Sequence, residues 1–343
     1  SGTSRGVLTT KETYLLEISE NNKKGIGECA IFRGLSYDDV PDYEEKLTWL
    51  CENIHLDFEV LKKELLHYPS IIFGLEQALL NLEHGEDLYF PSDFTDGKDS
   101  IKINGLIWMG NADFMQSQIE EKLAKGFDCI KLKIGVDWKS EKEIIKKLRE
   151  KFPKEQLELR VDANGAFSYE EARMVLQELA DLGIHSIEQP IKKSEVRSPK
   201  SEENSEKKST DCCVPWNEMA KLCAETPTPI ALDEELIGVI DFEEKKKLLE
   251  TIKPQYIILK PALVGGFSGS DEWIAIAESL GINWWITSAL ESNIGLNAIC
   301  QYTYTKKNPL PQGLGTGALF TNNFETHLQL EGDQMWHKKT PYC

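Results

Sequence analysis

The chain has 343 residues, 39 of them basic and 57 acidic, for a formal net charge of −18. That length carries a core of ordinary size, in two domains or one large barrel. The acidic balance argues against nucleic acid and anionic membrane surfaces as partners. No apolar run approaches the roughly 18 residues of a membrane span, and mixed charge throughout the chain excludes wholesale disorder.

The eight cysteines (Cys29, Cys51, Cys129, Cys212, Cys213, Cys223, Cys300 and Cys343) show no Cys-x-x-Cys spacing and no disulfide framework. Reduced thiols in a cytoplasmic protein are expected. A zinc site on Cys212, Cys213 and Cys223 lacks a fourth ligand at a known spacing. Because the numbering begins at Ser1, a lost targeting segment would leave no trace.

In chain order, Tyr14–Ile18 alternates apolar and polar residues, Asn21–Gly25 reads as a turn, and Ile26–Ile31 returns as the second arm of a hairpin. Helical periodicity follows from Asp38 to Leu66. A second helix starts at Ser70, a good N-cap, and runs to Leu82. This is an α+β unit over residues 1–95, with a polar linker at Asp93–Lys98.

From residue 100 the pattern alternates. Strand-sized runs at Ile101–Ile107, Cys129–Ile134, Leu157–Asp162, His185–Glu188, Ile230–Asp233, Tyr256–Lys260 and Trp284–Thr287 are separated by helical segments. The strands end near Lys133, Asp162, Glu188, Asp233, Lys260 and Thr287, at intervals of 29, 26, 45, 27 and 27 residues. The long interval contains Lys192–Asp211, twenty residues of Lys, Ser, Glu and Asn that read as a solvated, disordered insertion. Without it the period is restored. A repeat near 27 residues predicts a (β/α) barrel over residues 100–305. An open doubly wound sheet would carry a glycine-rich turn after its first strand. Gly313-Leu314-Gly315-Thr316-Gly317 comes too late for that and follows no predicted barrel strand.

Active sites of parallel barrels sit at the carboxyl ends of the strands. There the sequence offers Lys131 and Lys133, Asp162, Glu188, Asp233 and Lys260 in phase. Period-two alternation puts Lys131 and Lys133 on one face and Ile130, Leu132 and Ile134 on the other. Arg160 and Asp162 share a face by the same rule. A lone carboxylate at a strand end is ordinarily solvated or capping; three from successive strands, converging on one mouth, would repel each other unless a cation lay among them. Hard oxygen donors in that number suit Mg²⁺, with Mn²⁺ able to substitute. Flanking lysines then point to abstraction of a proton next to a carboxylate, the charge of the enediolate being neutralised by the ion. None of the six histidines falls at a carboxyl strand end, and the aromatic residues read as core.

The segments Ile130-Lys131-Leu132-Lys133-Ile134, Val161-Asp162-Ala163-Asn164, Ile187-Glu188-Gln189-Pro190, Leu232-Asp233-Glu234 and Leu259-Lys260-Pro261 resemble the enolase superfamily, muconate-lactonizing-enzyme subgroup. The resemblance implies a (β/α)7β modified TIM barrel and an N-terminal α+β capping domain, incomplete at Ser1, to which the segment 306–343 returns. It implies Asp162, Glu188 and Asp233 as metal ligands, with Lys131 and Lys133 on one face of the substrate and Lys260 on the other. Arg160, Asn164 and Glu234 would support them.

Gly34-Leu35-Ser36, Ser288-Ala289-Leu290-Glu291-Ser292 and Gly313–Phe320 resemble a branch of that subgroup that dehydrates a 2-succinyl-6-hydroxycyclohexadiene carboxylate in menaquinone biosynthesis. In that branch Lys133 would remove the proton and assist loss of water, and Lys260 would stabilise the enediolate as a cation. Gly265, Gly266 and Ser288 would meet the substrate, and the loop Ile31–Gly34 would close over it. N-acylamino acid racemases and dipeptide epimerases use the same residues, but the epimerases carry Asp-x-Asp where this chain has Ser288-Ala289-Leu290. Mandelate-type chemistry lacks its histidine base here. A non-catalytic scaffold fits poorly with the intact lysine and carboxylate set. The partner is thus a small carboxylate substrate, and a homo-oligomer remains open.

Overall fold

The structure is a computed structural model that describes residues 2–3, 6–7, 9–108, 110, 112–194 and 216–338. Most of the Lys192–Asp211 insertion, together with Cys212 and Cys213, lies outside the described residues.

Two short strands, β1 (Gly2–Thr3) and β2 (Gly6–Val7), pair antiparallel. The hairpin of β3 (Tyr14–Glu20) and β4 (Lys23–Cys29) turns on two residues, Asn21 and Asn22, both at positive φ (48° and 63°). That is the geometry which matches strand twist. Gly25 therefore lies inside β4 rather than in the turn. A Cβ there would stand 2.0 Å from the Ala78 carbonyl oxygen, and one at Gly27 would stand 1.9 Å from that of Gly74. The two glycines let a helix lie directly on the strand.

The predicted helical stretch 38–66 divides into α1 (Tyr43–Asn53) and α2 (Phe58–Glu64), because Asp57 accepts the Glu59 N–H and starts a new helix. The packed helix is α3 (Pro69–His84), with Pro69 in its first turn. Ser70 is not its cap: the Ser70 hydroxyl and N–H both donate to buried Asp38, at 2.6 and 2.9 Å. Leu16, Ile31, Tyr43, Leu50, Leu61, Ile71 and Leu75 form the core of this unit.

The predicted strand 101–107 splits. Its first half, β5 (Ser100–Lys102), pairs with a C-terminal strand. Its second half, β6 (Gly105–Ile107), opens the barrel. Then follow α4 (Ala112–Ala124), β7 (Cys129–Lys133), α5 (Trp138–Lys151), β8 (Glu158–Asp162), α6 (Tyr169–Asp181), β9 (Ser186–Glu188), α7 (Asn217–Glu225), β10 (Ile230–Leu232), α8 (Phe242–Ile252), β11 (Tyr256–Leu259), the short α9 (Pro261–Val264), α10 (Gly266–Ser279), β12 (Asn283–Ile286) and α11 (Asn293–Lys306).

Strands β6 to β12 run parallel in sequence order. The ring closes through Gln312 and Gly313, which bridge Ile103 and Thr287 in parallel. The glycine-rich segment thus does follow a barrel strand, the eighth, and that strand lies beyond residue 305. The final hairpin, β13 (Leu328–Glu331) and β14 (Gln334–His337), pairs with β5. Ile130, Leu132, Leu159, Val161 and Ile187 pack outward against the helices. No described helix is long and apolar enough to cross a membrane. The five described cysteines are unpaired.

Candidate active site

Parallel register places Lys133 beside Asp162 and Asp162 beside Glu188, so three charged side chains stand at one level of adjacent strands. Asp233 and Lys260 follow β10 and β11 directly. All of these but Asp233, which reaches the set through Lys260, line a cavity of about 830 Å³ including its open mouth, a size suited to a small molecule. Lys131, Lys133, Asp162, Asn164, Glu188, Glu234, Lys260 and Ser288 line it.

The lysines are matched to the carboxylates. Lys131 Nζ donates to Glu188 at 2.5 Å and lies 3.4 Å from Asp162. Lys133 Nζ donates to Asp162 at 2.9 Å and to Asn164 Oδ1 at 2.5 Å. Lys260 donates to Asp233. All three lysine side chains are 11–13 % exposed, and the three carboxylates are 2–3 % exposed.

Burial penalises every charge here, and the neighbours decide each balance. Burial opposes ionisation of Asp162, but Lys133 and Lys131 hold its carboxyl well below the usual range. Burial and then the Asp162 charge push Glu188 up to about 7, and burial raises Asp233. Burial opposes the ammoniums, yet Glu188 and Asp162 hold Lys131, and Asp233 and Glu188 hold Lys260, well above the ordinary lysine range.

Two of the three carboxylates are thus undercompensated. In addition, Glu188 Oε1 and Glu234 Oε2 are buried with no hydrogen-bond partner. A hard divalent cation supplies what this all-oxygen set lacks. With ammoniums among them, the oxygens of Asp162, Glu188 and Asp233 do not all come within 4.8 Å of one another.

Supporting contacts surround the set. Asn164 donates to Glu234 at 3.0 Å. Gln189 Oε1 accepts the N–H groups of Asp233 and Glu235 at 3.3 and 3.2 Å, tying two strand ends together. Asn164 and Gln189 both have positive φ, 44° and 39°, a strained backbone of the kind found at functional sites.

Three expected site residues lie elsewhere. Arg160 points into the barrel floor, 4.2 Å from the Trp285 ring and 2.9 Å from the Pro311 carbonyl oxygen. It is two residues before Asp162 on the same face, hence one layer deeper. Gly265 and Gly266 face the capping unit: a Cβ on Gly266 would meet Glu76 at 2.3 Å, and neither glycine lines the mouth. The cavity also has apolar walls: Phe32 and Leu35 from the early loop expected over the site, and Leu106 and Trp108 from the first barrel strand and its end, which the sequence reading did not place there. The alternation of Leu106 and Trp108 against Gly105 and Ile107 was the signal available for the last two.

The family model described as "Enolase C-terminal domain-like" matches residues 115–201 and 211–336. The chain is 42 % identical to the o-succinylbenzoate synthase of Desulfotalea psychrophila, over 97 % of this chain and 94 % of that protein. It is 33 % identical to the N-succinylamino acid racemase of Thermus thermophilus, over 85 % of this chain and 75 % of that protein. The crystal structure of MenC from Desulfotalea psychrophila superposes with a TM-score of 0.81, at 40 % identity, covering 94 % of each chain. The chain belongs to the enolase C-terminal domain-like family.

Proposed function

We propose that the protein is a Mg²⁺-dependent carbon–oxygen lyase that forms o-succinylbenzoate from a 2-succinyl-6-hydroxycyclohexadiene carboxylate, a step of menaquinone biosynthesis. The observation that carries this reading is the pair of lysines, Lys133 and Lys260, reaching one cavity from strands β7 and β11 on either flank of the three-carboxylate set. Asp162, Glu188 and Asp233 would hold the ion. When bound, it supplies positive charge for the substrate carboxylate as the neighbouring carbon loses its proton.

The chain's own residues do the rest. Lys133, which sits between Asp162 and Asn164 at the rim, serves as the base in its neutral form. Its Nζ removes the proton next to the substrate carboxylate. Lys260 stays cationic, held so by Asp233 and Glu188, and stabilises the developing negative charge from the opposite face. Lys133, now an ammonium, returns that proton to the hydroxyl on the adjacent carbon. The C–O bond breaks, water leaves, and the lysine is neutral again. Aromatisation of the product makes the elimination strongly downhill.

The walls suit a ring rather than a peptide. Phe32, Leu35, Leu106 and Trp108 are apolar. Glu291, the carboxylate in the loop where epimerases hold a peptide amine, is fully buried. It accepts the Ser288 hydroxyl at 2.6 Å and the Ala289 N–H at 3.1 Å, so it braces its own turn. Racemisation of N-acylamino acids is the second reading, favoured by the presence of a lysine on each face. The deciding assay follows ultraviolet absorbance of the cyclohexadiene substrate with purified protein, with and without EDTA. Loss of the signal change in EDTA is expected. Solvent-deuterium exchange into an N-acylamino acid without dehydration would overturn the assignment.

A further inference from the structure

Away from the mouth, the C-terminal hairpin meets the chain leaving the capping unit, and three side chains converge there. His327 immediately precedes β13 and His337 ends β14; Leu328 and His337 are register partners, so both histidines stand at one end of the hairpin. Asp87 follows α3. Among the described residues this is the one set of three His, Cys, Asp or Glu side chains whose ligand atoms all lie within 4.8 Å of one another. His327 Nδ1 is 2.5 Å and His337 Nε2 is 3.3 Å from the same oxygen, Asp87 Oδ2. None of the three lines the mouth cavity.

Two observations separate this cluster from a surface ion pair. His337 is fully buried, and its Nδ1 lies 3.2 Å from the Thr95 carbonyl oxygen. A carbonyl has no proton to offer, so Nδ1 carries the hydrogen. In the neutral ring Nε2 is then a lone pair, and it faces a carboxylate oxygen. Two acceptors confront each other in a buried place, and only a second proton or a cation between them relieves that. A histidine whose far nitrogen is fixed by a carbonyl is the usual arrangement of a metal ligand. The second observation is Asp87 Oδ1, a buried carboxylate oxygen with no hydrogen-bond partner.

Asp87 is also set in place by the barrel: Asn297 and Gln301 of α11 donate to its main-chain carbonyl at 2.9 and 2.8 Å. We propose that Asp87, His327 and His337 form a structural site for one zinc-type divalent ion, separate from the oxygen-donor site at the barrel mouth. Two imidazole nitrogens with one carboxylate favour zinc over magnesium. Asp87 and His327 are 30 % and 33 % exposed at the side chain, which leaves a fourth position to water. The ion would join segments 240 and 250 residues apart in sequence, pinning the C-terminal hairpin to the exit of the capping unit.

The test uses the full-length chain, stripped of metal and held in excess Mg²⁺ to fill the oxygen site, then titrated with Zn²⁺ or Co²⁺. One equivalent is expected to bind, with the intense visible bands of four-coordinate cobalt and a Zn²⁺-dependent rise in Tm. His327→Ala and Asp87→Asn should each weaken this binding at least about 100-fold and remove the Tm response, while His327→Ala keeps its Mg²⁺-dependent activity. His337→Gln disturbs a buried ring and can fail to fold, so the partly exposed His327 carries the decision. Equal stoichiometry and affinity in wild type and His327→Ala would overturn the proposal. So would the absence of both cobalt bands and a Tm shift in wild type, which would identify the cluster as a protonated imidazolium–carboxylate clamp.

Discussion

The rim of the barrel and the loop that faces it from the capping unit bound the same cavity with opposite materials. On the rim, Lys131, Lys133, Asp162, Glu188 and Lys260 are charged and locked by parallel register and by ion pairs, that of Lys260 to Asp233 among them. On the loop, Phe32 and Leu35 offer apolar surface on a turn held by three local hydrogen bonds: the N–H groups of Leu35 and Ser36 donate to the Phe32 carbonyl, and the Phe32 N–H to the Ser36 hydroxyl. The rim cannot shift without separating buried charges, which costs several kcal/mol. The loop is held instead by Asp39, which accepts from Arg33 and the Gly34 N–H, and by apolar packing of Phe32 and Leu35 on Ile237, Leu263 and Ala289. Chemistry therefore resides on the barrel and selection of the substrate's shape on the cap, and substitutions should divide accordingly.

The sharpest way to break that division is Lys133→Ala. It should lower kcat for dehydration by about 10³-fold, within the roughly 10²–10⁴ of a general base, while leaving the fold intact by circular dichroism. Substantial residual activity would remove Lys133 from the reaction. Next, Glu188→Gln should raise the Mg²⁺ concentration needed for half-maximal activity by roughly 100-fold, since the proposed ligand at the centre of the set is lost; an unchanged requirement would place the ion elsewhere. Lys260→Arg should retain dehydration within about tenfold, because a cation is all that face needs, and should abolish any racemisation, which needs a second base.

Phe32→Ala tests the cap. It should raise KM by roughly 10- to 50-fold with kcat little changed, as expected for about 1.5–2.5 kcal/mol of lost apolar contact; an equal fall in kcat would show the loop taking part in the chemistry.

The smallest effect concerns how the cap rests on the barrel. Glu76 of α3 accepts the N–H groups of Phe267 and Ser268 at the start of α10, at 2.5 and 3.1 Å. Burial outweighs those bonds and pushes its carboxyl up to about 7. A folded-state pKa above the unfolded one means that the native state binds the extra proton. This group's contribution is therefore most favourable below about 4.5 and is lost as pH rises through 7. Glu76→Gln should flatten that part of the stability curve by on the order of 1 kcal/mol, read as urea midpoint against pH; an unaltered slope would assign the pH dependence to other groups.

Much of the site was legible because it depends on short-range rules. Lys131 and Lys133 share a face through the pleat, and the strand ends recur because each βα unit has one length. The apolar walls were less legible. Trp108 looks like a core residue until the cap and the barrel are docked, since a ring lining a cavity and a ring filling a core have the same local pattern. Arg160 illustrates the reverse error: it shares the face of Asp162, but the sequence does not say that one layer down means the barrel floor beside Trp285. Ser70 has the chemistry of an N-cap, yet Pro69 already starts the helix and Asp38, far away in sequence, takes its hydroxyl. The histidines carried no spacing signal at all, because His327 and His337 meet Asp87 only across the hairpin and the cap exit.

What the sequence determined alone was the repeating βα unit and the identity of the charged side chains at its strand ends, both consequences of periods of 2 and 3.6 residues that act within a few neighbours. What tertiary structure decided was partnership across long separations: β5 leaving the barrel to join β14, Gln312 and Gly313 closing the ring against Ile103 and Thr287, and the cap's loop arriving over the charged rim. Those choices are made by backbone hydrogen bonds and burial that exist only once distant segments are side by side, and no local pattern encodes them.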